Sequence, residues 1–287
     1  MKHLITKLLS LTQFDIIFWP LASNMSLGWL ISANQNLFLR ICNSLGILCL
    51  VMAVFAYGSI EDAPLDALAE GKNADNPLSK GYLSIPDAWK LSILLAGIGL
   101  LLSTVSSSNA FLTYLGILVV GGIYFHHSLR LRQSMLLEAL GFSILTGLLP
   151  FLSAANLSSI HFGNNSLITG SLGFLLAYAS YYNRGESHVK GITEENPRTS
   201  ISFALTLVSV LILLASLFVF TFSGLVPAWV SVLMLVLFLI MYYPQFSHHK
   251  AIHTETYTHP IFAIYQHALA IALITFFLAT QIFSIIR

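Results

Sequence analysis

The sequence predicts an all-α polytopic membrane bundle of about nine spans, an expectation resting on composition, on the spacing of apolar runs and on the distribution of charge. Hydrophobic residues make up 56% of the chain and charged residues only 9%, and the mean hydropathy is +0.80. That balance is suited to lipid rather than water as the solvent. At roughly 20 apolar residues per crossing, the 287 residues accommodate about nine helices joined mostly by short connections. The chain is therefore read as one transmembrane domain over 1–287, and its runs lack the ten-residue alternation of a membrane barrel.

Taken in order, apolar runs able to span occur at 15–32, 37–57, 88–105, 110–127, 134–153, 166–182, 202–220, 226–247 and 261–286. Before the first of them, Met1 to Ser10 carries Lys2 and Lys7 but no long apolar core and no small-residue cleavage pattern, so the first crossing is expected to be retained. An odd number of spans puts the termini on opposite sides. Of the 13 Lys and Arg residues, all but Arg40 and Arg287 then fall on the side of the N-terminus, which makes that side cytoplasmic. The expected setting is a multi-pass protein of a bacterial-type inner membrane, surrounded by membrane lipid. A net charge of +1 leaves no basic face for a nucleic-acid partner. Cys42 and Cys49 both fall in the second run and read as small packing residues.

The connections are as lopsided as the charge. Outer ones such as Ser106 to Asn109 and Thr221 to Gly224 are short and uncharged, whereas the inner loops 58–87, 183–200 and 248–260 are long and ionic. Function is expected on the inner side. There the second run leads into Glu61, Asp62, Asp66 and Glu70, with carboxylates recurring every four residues at 62, 66 and 70. On a helix these three share one face, with neighbours roughly 6 Å apart at Cβ. Like charges so placed repel, and a hard cation relieves them; Mg2+ suits the arrangement, because it takes one or two carboxylates together with phosphate oxygens. The plainer alternative is a solvated continuation of the helix with ordinary surface acids.

The spacing Asp62-x-x-x-Asp66, followed by Asn76-Pro77-Leu78-Ser79-Lys80-Gly81, resembles the first aspartate-rich motif of the UbiA superfamily of intramembrane prenyltransferases. Gly58 stands where that pattern begins with Asn. The end of the fourth run, Tyr124-Phe125-His126-His127-Ser128-Leu129-Arg130-Leu131-Arg132, is similar to the region after the family's fourth helix. The segment from Tyr181 to Thr193 occupies the place of the second aspartate-rich motif, with Asn183 and Ser187 at its usual acidic positions and Glu186 as the nearest carboxylate.

The resemblance implies nine helices around a lipid-facing cavity, capped by two polar loops. It implies Mg2+ held by Asp62 and Asp66, with Glu70, Asn183 and Glu186 as further metal-site or catalytic positions. Lys80, Arg130, Arg132, Arg184 and Lys190 become candidates to bind the diphosphate of a prenyl diphosphate; arginines do so in bidentate fashion. Tyr57, Tyr124, Tyr178 and Tyr182 become candidates to stabilise an allylic cation through their π faces. The expected activity is transfer of the prenyl group to an aromatic or other lipophilic acceptor. Two other readings stand beside it: a cyclase of the same fold acting on a prenyl diphosphate alone, and a noncatalytic lipid-binding or transport bundle. His126 and His127 read as interfacial side chains. His248, His249, His253, Glu255 and His259 match no defined zinc pattern and read as a solvated loop or the mouth of the cavity.

Overall fold

The computed structural model describes residues 2–32, 36–67, 76–106, 108–129, 135–155, 170, 174, 221–222, 226–249, 268–276 and 280. Among these every regular element is helical: α1 (Lys2–Leu11), α2 (Phe14–Ile31), α3 (Leu37–Asp66), α4 (Ile85–Ser106), α5 (Ser108–Phe125), α6 (Met135–Ser143), α7 (Leu149–Ala155) and α8 (Ala228–His249). Helices α2 to α5 fall on the first four expected runs. The fifth run is made by α6 and α7 with a π-helical turn, Ile144–Leu148, between them. Pro150 accounts for that turn. It has no N–H to continue the ladder, and the widened register lets Leu149 N–H bond Ile144 O instead.

Among the described residues three stretches are long and apolar enough to cross a membrane, Leu37–Pro64, Ile85–Ser106 and Leu137–Ala155, and shorter apolar helices cover Ile16–Ile31, Phe111–Phe125 and Ala228–Ile240. The protein is an integral membrane bundle. Its packing follows the logic of lipid, in which bulky apolar side chains gain nothing by turning inward and small ones let backbones meet. In α4 the buried residues are Ala88, Ser92, Gly99, Ser103 and Ser106, while Ile93, Leu94 and Leu101 face outward. Gly99 requires its missing side chain: a Cβ there would lie 2.9 Å from Gly46 O on α3. Ser92 Oγ fastens the same pair of helices by donating to Ala53 O at 2.8 Å.

Around α3 the main core joins α2, α5 and α6 through Leu21, Leu50, Phe55, Tyr114 and Phe142. A second cluster joins α2, α7, α8 and residues 268–276 through Leu27, Phe151, Val230, Met234 and Leu273. Between α3, α5 and α7 lies a buried polar contact, where Tyr114 Oη donates to Asn43 and Ser153 Oγ donates to Asn43 Oδ1 at 2.8 Å.

Ahead of the first crossing, Lys2–Leu11 forms α1, set off from α2 by Gln13 in the left-handed region at φ 49°. One feature differs from expectation. The first inner loop was expected to begin at 58, whereas α3 continues to Asp66 with Pro64 inside its last turn. Tertiary packing holds that extension: Ile60 and Ala63 join Leu11, Leu78 and Ala88 in a third cluster, and Ser59 Oγ donates to Leu11 O at 2.8 Å.

Candidate functional site

The extension of α3 puts Asp62 and Asp66 on a helix, half-buried at its end rather than free in a loop. Residues 59, 62 and 66 share one face by helical spacing. The chain returns to that face at Asn76, whose Nδ2 donates to Asp66 Oδ2 at 2.8 Å and to Ser59 O at 2.9 Å. Asn76 also orders the turn after it: its Oδ1 accepts from Leu78 N–H at 3.0 Å, and its carbonyl accepts from Ser79 Oγ at 2.9 Å. The turn closes at Gly81, whose φ of 68° favours glycine, and it leaves Lys80 exposed.

From the other side the end of α5 closes on α3. Glu61 pairs with His127, Oε2 to Nδ1 at 2.8 Å, and Tyr57, one helical turn earlier, hydrogen-bonds the same carboxylate. The His126 and His127 rings stack at 5.1 Å. Phe125 lies against Gly58, where a Cβ would come within 2.7 Å of the ring Cγ and closer still to its edge. The position that the UbiA pattern gives to Asn is closed to any side chain here unless Phe125 moves.

Of the expected cation-stabilising tyrosines, Tyr57 is half-buried with its ring 5.6 Å from Trp89. Tyr124 is buried in the main core, edge-on to Phe125 at 4.6 Å. Glu70, Arg130, Arg132, Tyr178, Tyr182, Asn183, Arg184, Glu186 and Lys190 lie outside the described residues, as do His253, Glu255 and His259. The structure therefore brings Asn76 onto Asp66, with Asp62 on the same face of α3, and places Lys80 in the exposed turn that follows Asn76. The first motif did not reveal that Glu61 has a partner in His127; the adjacent histidines at a helix end were the available signal.

Among the described residues no three His, Cys, Asp or Glu side chains come together as a ready cation cage. The donor set fits a hard cation that takes only part of its shell from protein: two carboxylates one helical turn apart, with substrate oxygens or water left to complete the coordination. Mg2+ is such an ion. Asp62 and Asp66 are the described residues that could hold it.

No protein-family model matches the chain, and no curated protein matches it. Solved structures do. A UbiA homolog from Archaeoglobus fulgidus bound to GPP and Mg2+ superposes with a TM-score of 0.65 at 16% identity, covering 93% of this chain and 97% of that one. A UbiA homolog from Aeropyrum pernix K1 gives 0.64 at 17% identity, covering 94% and 98%. A structure of a digeranylgeranylglyceryl phosphate synthase gives 0.57 at 20% identity, covering 96% and 98%. At these identities it is the fold that is shared, and it is shared over nearly the whole of each chain: this protein has the UbiA fold.

Proposed function

We propose that this bundle with the UbiA fold is a Mg2+-dependent intramembrane prenyltransferase, which ionises a prenyl diphosphate and transfers the prenyl group to an aromatic or other lipophilic acceptor. The observation that carries the reading is the half-buried pair Asp62 and Asp66 on one face of α3, with Lys80 exposed in the turn that packs back on that face. A solved protein of the same fold binds GPP and Mg2+, which supports a prenyl diphosphate as substrate class.

In this reading Asp62 and Asp66 hold the metal, assisted by Glu70, Asn183 and Glu186. Bound Mg2+ neutralises charge on the departing diphosphate. Lys80, Arg130, Arg132, Arg184 and Lys190 hold diphosphate oxygens with charge-assisted hydrogen bonds. The bond between the prenyl C1 and the diphosphate oxygen breaks with its electron pair on oxygen, and the π faces of Tyr57, Tyr124, Tyr178 and Tyr182 stabilise the allylic cation. Apolar helices exclude water from that cation until the acceptor attacks it. The loops carrying these groups lie on the cytoplasmic side.

A cyclase acting on the prenyl diphosphate alone is the second reading. Asn183 and Ser187 at the usual acidic positions favour it by departing from the transferase pattern. One experiment tests both: diphosphate release by the purified protein in detergent, from geranyl, farnesyl and geranylgeranyl diphosphates, with and without Mg2+ and aromatic acceptors. Mg2+-dependent release that needs an acceptor is the expected result. Release without acceptor, accompanied by cyclic hydrocarbons, favours the cyclase. No release under any of these conditions overturns both and leaves a noncatalytic lipid-binding or transport bundle.

A further inference from the structure

The carboxamide of Asn76 lies along the face of α3 that carries Ser59, Asp62 and Asp66. Its orientation is fixed by three contacts: the amide end donates to both Ser59 O and Asp66 Oδ2, and the carbonyl end accepts from Leu78 N–H. A flipped amide would place its oxygen against two acceptors and its NH2 against a donor, so this assignment alone satisfies all three. One residue before Ser59, position 58 is closed to any side chain by the Phe125 ring.

From these observations we infer that Asn76, from beyond the end of the helix, supplies a hydrogen bond on which Asp66 depends as a cation ligand. It acts as a positioning residue that holds the Asp66 carboxylate ready for a divalent cation. The inference rests on the metal-binding reading above and adds to it a residue outside the acidic repeat. Its physical basis is that Asp62 and Asp66 repel one another, and a carboxylate free to rotate would turn away from its neighbour. A hydrogen bond to Asp66 offsets part of that repulsion and restricts the rotamer before the cation arrives. Hydrogen-bond partners behind metal ligands orient them in this way, and their loss commonly weakens binding about 10–100-fold.

The test uses the full chain purified in detergent, with Mn2+ as a paramagnetic stand-in for Mg2+. Binding is titrated by electron paramagnetic resonance, and thermal unfolding is followed in parallel in EDTA. Asn76→Ala removes every contact of the side chain. Asn76→Ser keeps a side-chain oxygen for Leu78 N–H but is too short to span Ser59 and Asp66. We expect both variants to bind Mn2+ about 10–100-fold more weakly than wild type, with Asn76→Ser still folded in EDTA at the temperature of the titration. Where Asn76→Ala fails to fold, Asn76→Ser decides. Wild-type affinity in Asn76→Ser overturns the inference and leaves Asn76 as a loop anchor only. No Mn2+ binding by the wild type, or equal binding by the Asp62→Ala/Asp66→Ala double variant, removes the metal reading itself and the inference with it.

Discussion

His127 Nδ1 lies 2.8 Å from Glu61 Oε2, and the same carboxylate oxygen receives the His127 backbone N–H at 3.4 Å. This pair fastens the end of α5 to the last turns of α3, one residue from Asp62. A double-mutant cycle of Glu61→Gln and His127→Gln, read by thermal unfolding in detergent, should give a coupling of about 0.2–1 kcal/mol, the range for pairs open to solvent. A coupling of zero would show that the contact does not brace the helices.

Gly58 and Phe125 form the second contact between these helices. Gly58→Asn and Gly58→Ala should each destabilise the protein by about 1–3 kcal/mol, as overpacking does. The cost should shrink in a Phe125→Leu background, because the ring is what the new Cβ meets. Unfolding midpoints of the four combinations of Gly58→Ala with Phe125→Leu check this; strict additivity would count against it.

Asp62→Ala and Asp66→Ala should each abolish Mg2+-dependent diphosphate release from geranyl diphosphate while leaving the helical content intact. Wild-type turnover in either variant would refute the assignment of the pair to metal binding.

Tyr114→Phe should cost about 1–3 kcal/mol with no change in which substrates are turned over. The single hydroxyl hydrogen is shared between Asn43 O at 2.8 Å and Asn43 Oδ1 at 2.9 Å in a buried setting, where losing the donor exposes the acceptors' desolvation cost. Ser153→Ala should cost less than Tyr114→Phe, because Ser153 makes one bond to Asn43 Oδ1 and the tyrosine still satisfies that atom. Thermal unfolding in the same detergent ranks the two.

Much of the fold was legible from the lengths of apolar runs, since each crossing must satisfy its own backbone in lipid and only a helix does so within one segment. The expected run 110–127 and the observed Ser108–Phe125 differ by two residues at each end. Less was legible where packing overrides local pattern. The inner loop was bounded at 58 by where the apolar run ends, yet the cluster of Ile60, Ala63, Leu11, Leu78 and Ala88 keeps the next stretch helical to Asp66, as the four-residue acidic spacing allows. In the first loop the acidic spacing and Asn76 were both visible as motif residues, but not that one would bond the other.

By itself the sequence determined the class, a membrane bundle of helices, and the carboxylate pair at one end of α3, because both depend on residue type and on spacing along a single segment. Tertiary structure alone decided that Asn76 returns to Asp66, ten residues away, that Glu61 meets His127 across 66 residues, and that Phe125 fills the space beside Gly58. Those contacts depend on how each helix is rotated about its own axis. In lipid the outward face of a helix is as apolar as the inward one, so hydrophobicity does not record that rotation; the small residues along α4 mark the inward face only after its neighbour α3 is in place.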